Sequence, residues 1–118
     1  MIYNLHILTL MGYMVGSDLE AATAAATKDM QEMEASGVDL SKVKLLVYAG
    51  GSPKWHNETL DVSSEEHSIF ELTDHGFEKV MTYELASMGD PLSLTQFLEY
   101  GYTNYASETY GLILWDHG

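Results

Sequence analysis

YGLILWDHG, residues 110–118, decides the fold. A short, almost wholly apolar run (Leu112, Ile113, Leu114, Trp115) stops abruptly at Asp116, His117 and Gly118. The run is too short for an independent helix. It reads as a strand buried on both faces of a parallel sheet, delivering polar residues at its carboxyl end. In open α/β sheets ligands bind just outside such strand ends. His117-Gly118 therefore sits where a fold of this kind carries out chemistry.

Working outward, two further runs have the same character. Residues 5–15 form an apolar, partly β-branched stretch (Ile7, Thr9, Val15), and residues 43–48 read VKLLVY. Between them, Ser17-Asp18-Leu19-Glu20 matches a helix capping box. Leu19, Ala22, Ala26, Met30 and Met33 recur at spacings of three and four, which predicts a helix from Ser17 to about Ser36, stopped at Gly37. Strand, helix, strand is a βαβ unit, with a parallel pair and a right-handed crossover. Residues 57–66 are polar and acidic and read as an exposed loop. Residues 68–73 and 77–83 alternate apolar and polar around Asp74-His75-Gly76, which predicts a β-hairpin apart from the main sheet. Asp90 and Pro91 open a second helix, as cap and first helical residue. Its apolar face comprises Leu94, Phe97, Leu98, Gly101, Tyr102 and Tyr105.

The expected fold is α/β: a three-layer sandwich on a mainly parallel sheet, with the three buried strands in order 2-1-3, the two helices on opposite faces, and an extra β-hairpin. The third strand then lies at an edge. An apolar edge strand is an aggregation hazard unless something pairs with it. This predicts more sheet, supplied by a continuation or by a second chain.

At 118 residues and 46% hydrophobic content, one domain with a real core is expected. No run reaches the ~18–20 apolar residues of a membrane span. The start, MIYNLHILTLMGYMVG, lacks a basic leader and reads as a core strand more than as a signal peptide. The absence of cysteine excludes disulfides, thiolate metal sites and a cysteine nucleophile within these residues. A net charge of −13 makes nucleic acid a poor partner and attracts cationic ones.

A histidine at a strand end can act as general acid or base, because it titrates near neutrality. A following glycine lets substrate approach, and its amide can donate to an oxyanion. On pattern alone the catalytic and the structural readings of His117 both stand. His75-Gly76 is read as a turn. Asp116 and His117 make a poor metal pair, since neighbours on a strand point to opposite faces. His6, His56 and His67 show no ligand spacing, and each reads as exposed or accommodated. Gly16-Ser17 and Gly50-Gly51 end strands on the same rim as His117. They form no phosphate loop, and Asp18 and Glu20 would repel phosphate.

Four blocks together resemble one family: YMVGSDLE (residues 13–20), LLVYAGG (45–51), YEL…MGDPLSLTQFL (83–98) and YGLILWDHG (110–118). In order and spacing they are similar to the amino-terminal half of the clostripain family of cysteine peptidases, in the caspase-like clan. The resemblance implies a caspase-like sheet. It implies that residues 1–118 are the incomplete amino-terminal part of a peptidase domain, ending at the His-Gly strand. His117 matches the catalytic histidine of a His/Cys dyad, and Gly118 matches the glycine whose amide joins the oxyanion hole. The cysteine belongs to a following apolar strand that this sequence does not contain. The resemblance further implies cleavage after Arg or Lys, no required cofactor, calcium dependence in some members, and an exported bacterial protein. The expected partners are a peptide or protein substrate and the half or second chain carrying the cysteine. Truncation is the expected reason for the stop at Gly118, and these residues alone are expected to be inactive. The alternative is a non-catalytic α/β module that pairs through its edge strand.

Overall fold

The computed structural model describes residues 6–15, 24–50, 66–84 and 91–115. In chain order the elements are β1 (His6–Val15), α1 (Ala25–Glu34), β2 (Val43–Gly50), β3 (Glu66–Thr73), β4 (Gly76–Glu84), α2 (Pro91–Asn104) and β5 (Ser107–Trp115). The strands form one mixed sheet in the order β4-β3-β2-β1-β5. β1 is flanked by β2 and β5, both parallel to it, so the three apolar runs take the expected 2-1-3 order.

Alternation along the central strands feeds two cores. Met14, Leu45, Val47 and Ala49 pack on one face beneath Ala26 and Met30 of α1. Met11, Tyr13, Leu46 and Tyr48 pack on the other beneath Phe97 of α2. The helices therefore cover opposite faces. Each fully buried side chain of this size contributes about 1.5–3 kcal/mol of transfer free energy.

The hairpin forms as expected, but it is not apart from the sheet. β3 pairs antiparallel with β2, Val47 opposite Phe70 and Tyr48 opposite Ile69. The reason lies in the residues themselves. Ile69 enters one core and Phe70 the other, so β3 needs cover on both faces and cannot lie out in solvent. At the turn, Gly76 has φ 99°, a conformation that glycine adopts without steric cost. The Thr73 hydroxyl donates to the Gly76 carbonyl at 2.8 Å and accepts from the His75 amide at 3.1 Å. Glu34, at the end of α1, accepts from the Phe77 amide at 3.1 Å and ties helix to hairpin.

A second difference concerns α1. Ala24 has φ 58° and ψ 30°, with no side-chain cap, so a continuous helix from Ser17 to Ser36 is interrupted there. Alanine favours helix locally. The docking of Ala26 and Met30 on the sheet sets where this helix runs, and the chain from β1 enters it through a left-handed residue that costs about 1–2 kcal/mol. The capping box at Ser17 and Glu20, and the cap at Asp90, lie outside the described residues. Pro91 is the first residue of α2, as expected.

β5 is the third difference. Leu112, Ile113 and Leu114 are 41%, 48% and 66% exposed, against the expectation of burial on both faces. Among the described residues no strand pairs with the outer edge of β5, so only β1 flanks it. Tyr102, expected to face inward, is likewise exposed. It stands edge-on against Tyr110 at 4.5 Å, beside the strand where the sheet ends.

Candidate active site

The three parallel strands finish level. Met14 stands opposite both Ala49 and Trp115, and Val15 stands opposite Gly50. These carboxyl ends make one rim, and each leads into a segment singled out in the sequence. Val15 precedes Gly16-Ser17, Gly50 precedes Gly51, and Trp115 precedes Asp116, His117 and Gly118. Those following residues lie outside the described residues, as do Asp18, Glu20 and His56. What the structure describes is therefore the platform from which His117 and Gly118 continue.

Trp115 is the best-anchored residue at that rim. Its side chain packs on the α1-side core, and its indole Nε1 donates to Asp29 Oδ2 of α1 at 2.6 Å. This joins residues 86 positions apart and fixes the end of β5 against the helix. The sequence held a signal for it. Asp29 falls between Ala26 and Met33 on the predicted apolar stripe, where a carboxylate requires a buried donor.

The same rim is lined from within by polar aromatic residues. Tyr48 is buried, stacks on Tyr13 at 5.1 Å between centroids, and shares a 3.2 Å hydrogen bond with His67 Nδ1. His67 is 1% exposed, which makes it one of the accommodated histidines, and its Nε2 has no hydrogen-bond partner among the described residues. Burial lowers the His67 pKa and keeps the ring neutral. Burial likewise raises the Tyr48 phenol, against a hydrogen bond from Ser93 at the start of α2. A Cβ on Gly50 would run into the His67 ring, so glycine is required there for space. His6, at the amino end of β1, lies at the opposite rim, and His75 is exposed in the hairpin turn.

That opposite rim carries the most elaborate ionic cluster. Glu71 accepts from Lys44 at 2.8 Å and from the Tyr105 hydroxyl at 2.7 Å. A cavity of about 600 Å³ borders it, lined by Asp39, Lys44, Glu71 and Asp74 among others. Among the described residues no group of three carboxylate or imidazole side chains converges on a point where a metal ion could be held. No described helix is long and apolar enough to cross a membrane.

Comparison with known proteins places this architecture. The fold is similar to that of a B. fragilis cysteine protease, with a TM-score of 0.68 at 21% identity over 95% of this chain and 89% of that one. It is similar to a clostripain from Bacteroides thetaiotaomicron, solved in complex with the peptide inhibitor BTN-VLTK-AOMK, with a TM-score of 0.66 at 13% identity over 97% and 92% of the two chains. A secreted cysteine protease from the same organism, in complex with an irreversible peptide inhibitor, gives a TM-score of 0.70 at 17% identity. This chain spans 96% of its own length there but 30% of that protein's. No curated protein matches the sequence. At these identities the structures speak for the fold alone. The sequence model of the clostripain family matches residues 12–118, nearly the whole chain and including its final His-Gly, and the protein belongs to the clostripain family.

Proposed function

We propose that these residues are the histidine-bearing portion of a cysteine endopeptidase that cleaves peptide bonds after Arg or Lys. His117 is the dyad histidine and Gly118 an oxyanion donor. The thiolate comes from a cysteine on a segment pairing with the free edge of β5. That thiolate attacks the scissile carbonyl carbon, and the oxyanion accepts from the Gly118 amide. The C–N bond then breaks to leave a thioester, and His117 protonates the departing amine. Water, deprotonated by His117, hydrolyses the thioester and releases the acid.

The observation that carries this reading is the placement of β5. It is parallel to the central strand, unpaired on its outer edge among the described residues, and leads directly from the carboxyl rim towards His117. Membership of the clostripain family supports the chemistry. A basic preference is supported by the −13 net charge and by the peptide inhibitor of a similar clostripain, BTN-VLTK-AOMK, whose VLTK stretch ends on lysine. Export is supported by the similarity to a secreted protease.

The test is expression of residues 1–118 together with the reading frame that follows Gly118. The longer product is expected to cleave Arg- and Lys-containing peptides. His117→Ala should lower kcat at least about a thousandfold, as loss of one member of a catalytic unit does. Residues 1–118 alone should show no turnover. Hydrolysis by the pure 118-residue chain, abolished by His117→Ala, would overturn the requirement for a cysteine segment. A frame that stops after Gly118, with a partner strand recovered on β5, would favour a non-catalytic pairing module.

A further inference from the structure

The last four residues of β5 differ sharply in how they are held. Leu112, Ile113 and Leu114 are between two-fifths and two-thirds exposed, while Trp115 packs against the core. Trp115 also donates its indole N–H to Asp29 Oδ2 at 2.6 Å. Backbone pairing to β1 continues to the end of the strand, with Met14 opposite Trp115. Pairing on one edge sets the register of a strand. It leaves the strand free to twist about that edge. Among the described residues, what restrains this twist at the rim is the indole clamped between the core and α1.

The helix side of the clamp is itself well located. Asp29 lies one turn from Ala26 and next to Met30, both fully buried against the sheet. Glu34, at the end of the same helix, holds the hairpin through the Phe77 amide. α1 is therefore fixed at both ends of its contact with the sheet, and its carboxylate is a stationary acceptor.

We infer that Asp29 and Trp115 are positioning residues for the dyad histidine: their hydrogen bond fixes the orientation in which β5 delivers the backbone to His117, two residues further on. This rests on the reading of His117 given above. A reacting group displaced by about 1 Å can lose on the order of a hundredfold in rate, so the clamp acts on kcat and leaves substrate affinity unchanged.

The experiment uses the enzyme with its cysteine-bearing segment and, as substrate, a peptide with an internal lysine. Trp115→Phe keeps an aromatic ring, though a smaller one, and removes the donor. Asp29→Leu removes the acceptor. Asp29→Asn keeps an acceptor oxygen at the same distance. The first two are expected to lower kcat about ten- to thirtyfold with KM within twofold. The double variant should be no worse than either single one, because both remove the same contact. Asp29→Asn should recover kcat to within threefold of the wild type. The proposal is overturned if kcat is unchanged in Trp115→Phe and Asp29→Leu. It is overturned equally if kcat and KM change together with Tm and Asp29→Asn gives no rescue, since the pair is then only a stabilising contact. His117→Ala separates the two levels. If that variant is fully active, the dyad reading fails. If it is dead while the clamp variants are normal, only the positioning role fails.

Discussion

His67 shows how a single residue can carry a pH dependence that has no connection with catalysis. Its ring is buried beside Tyr48, opposite Tyr83 of β4, and above Gly50, with no carboxylate among its described contacts to favour a charge. Burial lowers its pKa below the ordinary histidine value of about 6.5. The unfolded chain therefore takes up a proton before the folded one does, and stability falls as pH drops below about 6.5, by at most about 1.4 kcal/mol per pH unit. The loss continues until the lowered folded value is reached. His67→Phe fills the same space without a titrating group. Thermal unfolding between pH 7 and pH 5 should show a clearly shallower decline in that variant. An unchanged slope would mean that another group is responsible.

Among the elements, the hairpin is held to the rest of the sheet by more than its ladder. Tyr105, just past α2, donates to Glu71 of β3, and Lys44 of β2 completes the cluster. Burial alone would raise the Glu71 pKa, but the hydrogen bonds from Lys44 and Tyr105 outweigh it and the net shift is downward. This contribution is present above the usual carboxylate range and is lost as pH falls through the lowered value. The Tyr105 phenol is pushed far up, by burial first and then by its bond to the carboxylate. Tyr105→Phe should cost about 1–2 kcal/mol near neutrality and less in acid, once the pH has fallen through the lowered Glu71 value. Chemical denaturation followed from neutral to acid pH measures this difference.

The parallel core was legible from sequence because residues 5–15, 43–48 and 112–115 are apolar runs bounded by glycine or polar residues. The hairpin turn was legible because Gly76 follows Asp74-His75. The attachment of β3 to β2 was not, since it depends on which strand can offer two covered faces to Ile69 and Phe70 at once. Nor was the break at Ala24, where local alanine content argues for helix and tertiary docking decides otherwise. For the site, His117 and Gly118 came from pattern and family resemblance. The partnership of Asp29 with Trp115 spans 86 residues, and only the fold brings the two together.

At the scale of the whole molecule, the sheet formed by the described residues is finished at one side and open at the other. β4, the outer strand of the hairpin, carries Glu78, Lys79 and Glu84, and charges on an edge discourage further pairing. β5 offers Leu112, Ile113 and Leu114 instead, without any charge from Tyr110 to Trp115. The isolated 118-residue chain should therefore self-associate with rising concentration. Ile113→Lys with Leu114→Lys should keep it monomeric, as sedimentation velocity would show. Equal association of wild type and double variant would place the sticky surface elsewhere.

The position of β1 has a consequence in time. Among the described strands it is made first, yet one of its two neighbours is made last, and the Thr9 and Ser107 hydroxyls that meet across that pairing are 98 residues apart. Closing so long a loop is slow compared with forming the adjacent β3–β4 hairpin. During synthesis β1 and β2 can pair, and the hairpin can join them, before β5 has left the ribosome. The strand leading to the histidine docks after the other described strands, onto the platform they have built. Until then the nascent chain has no completed rim, so any peptidase activity must await β5 and the proposed cysteine-bearing segment that follows it.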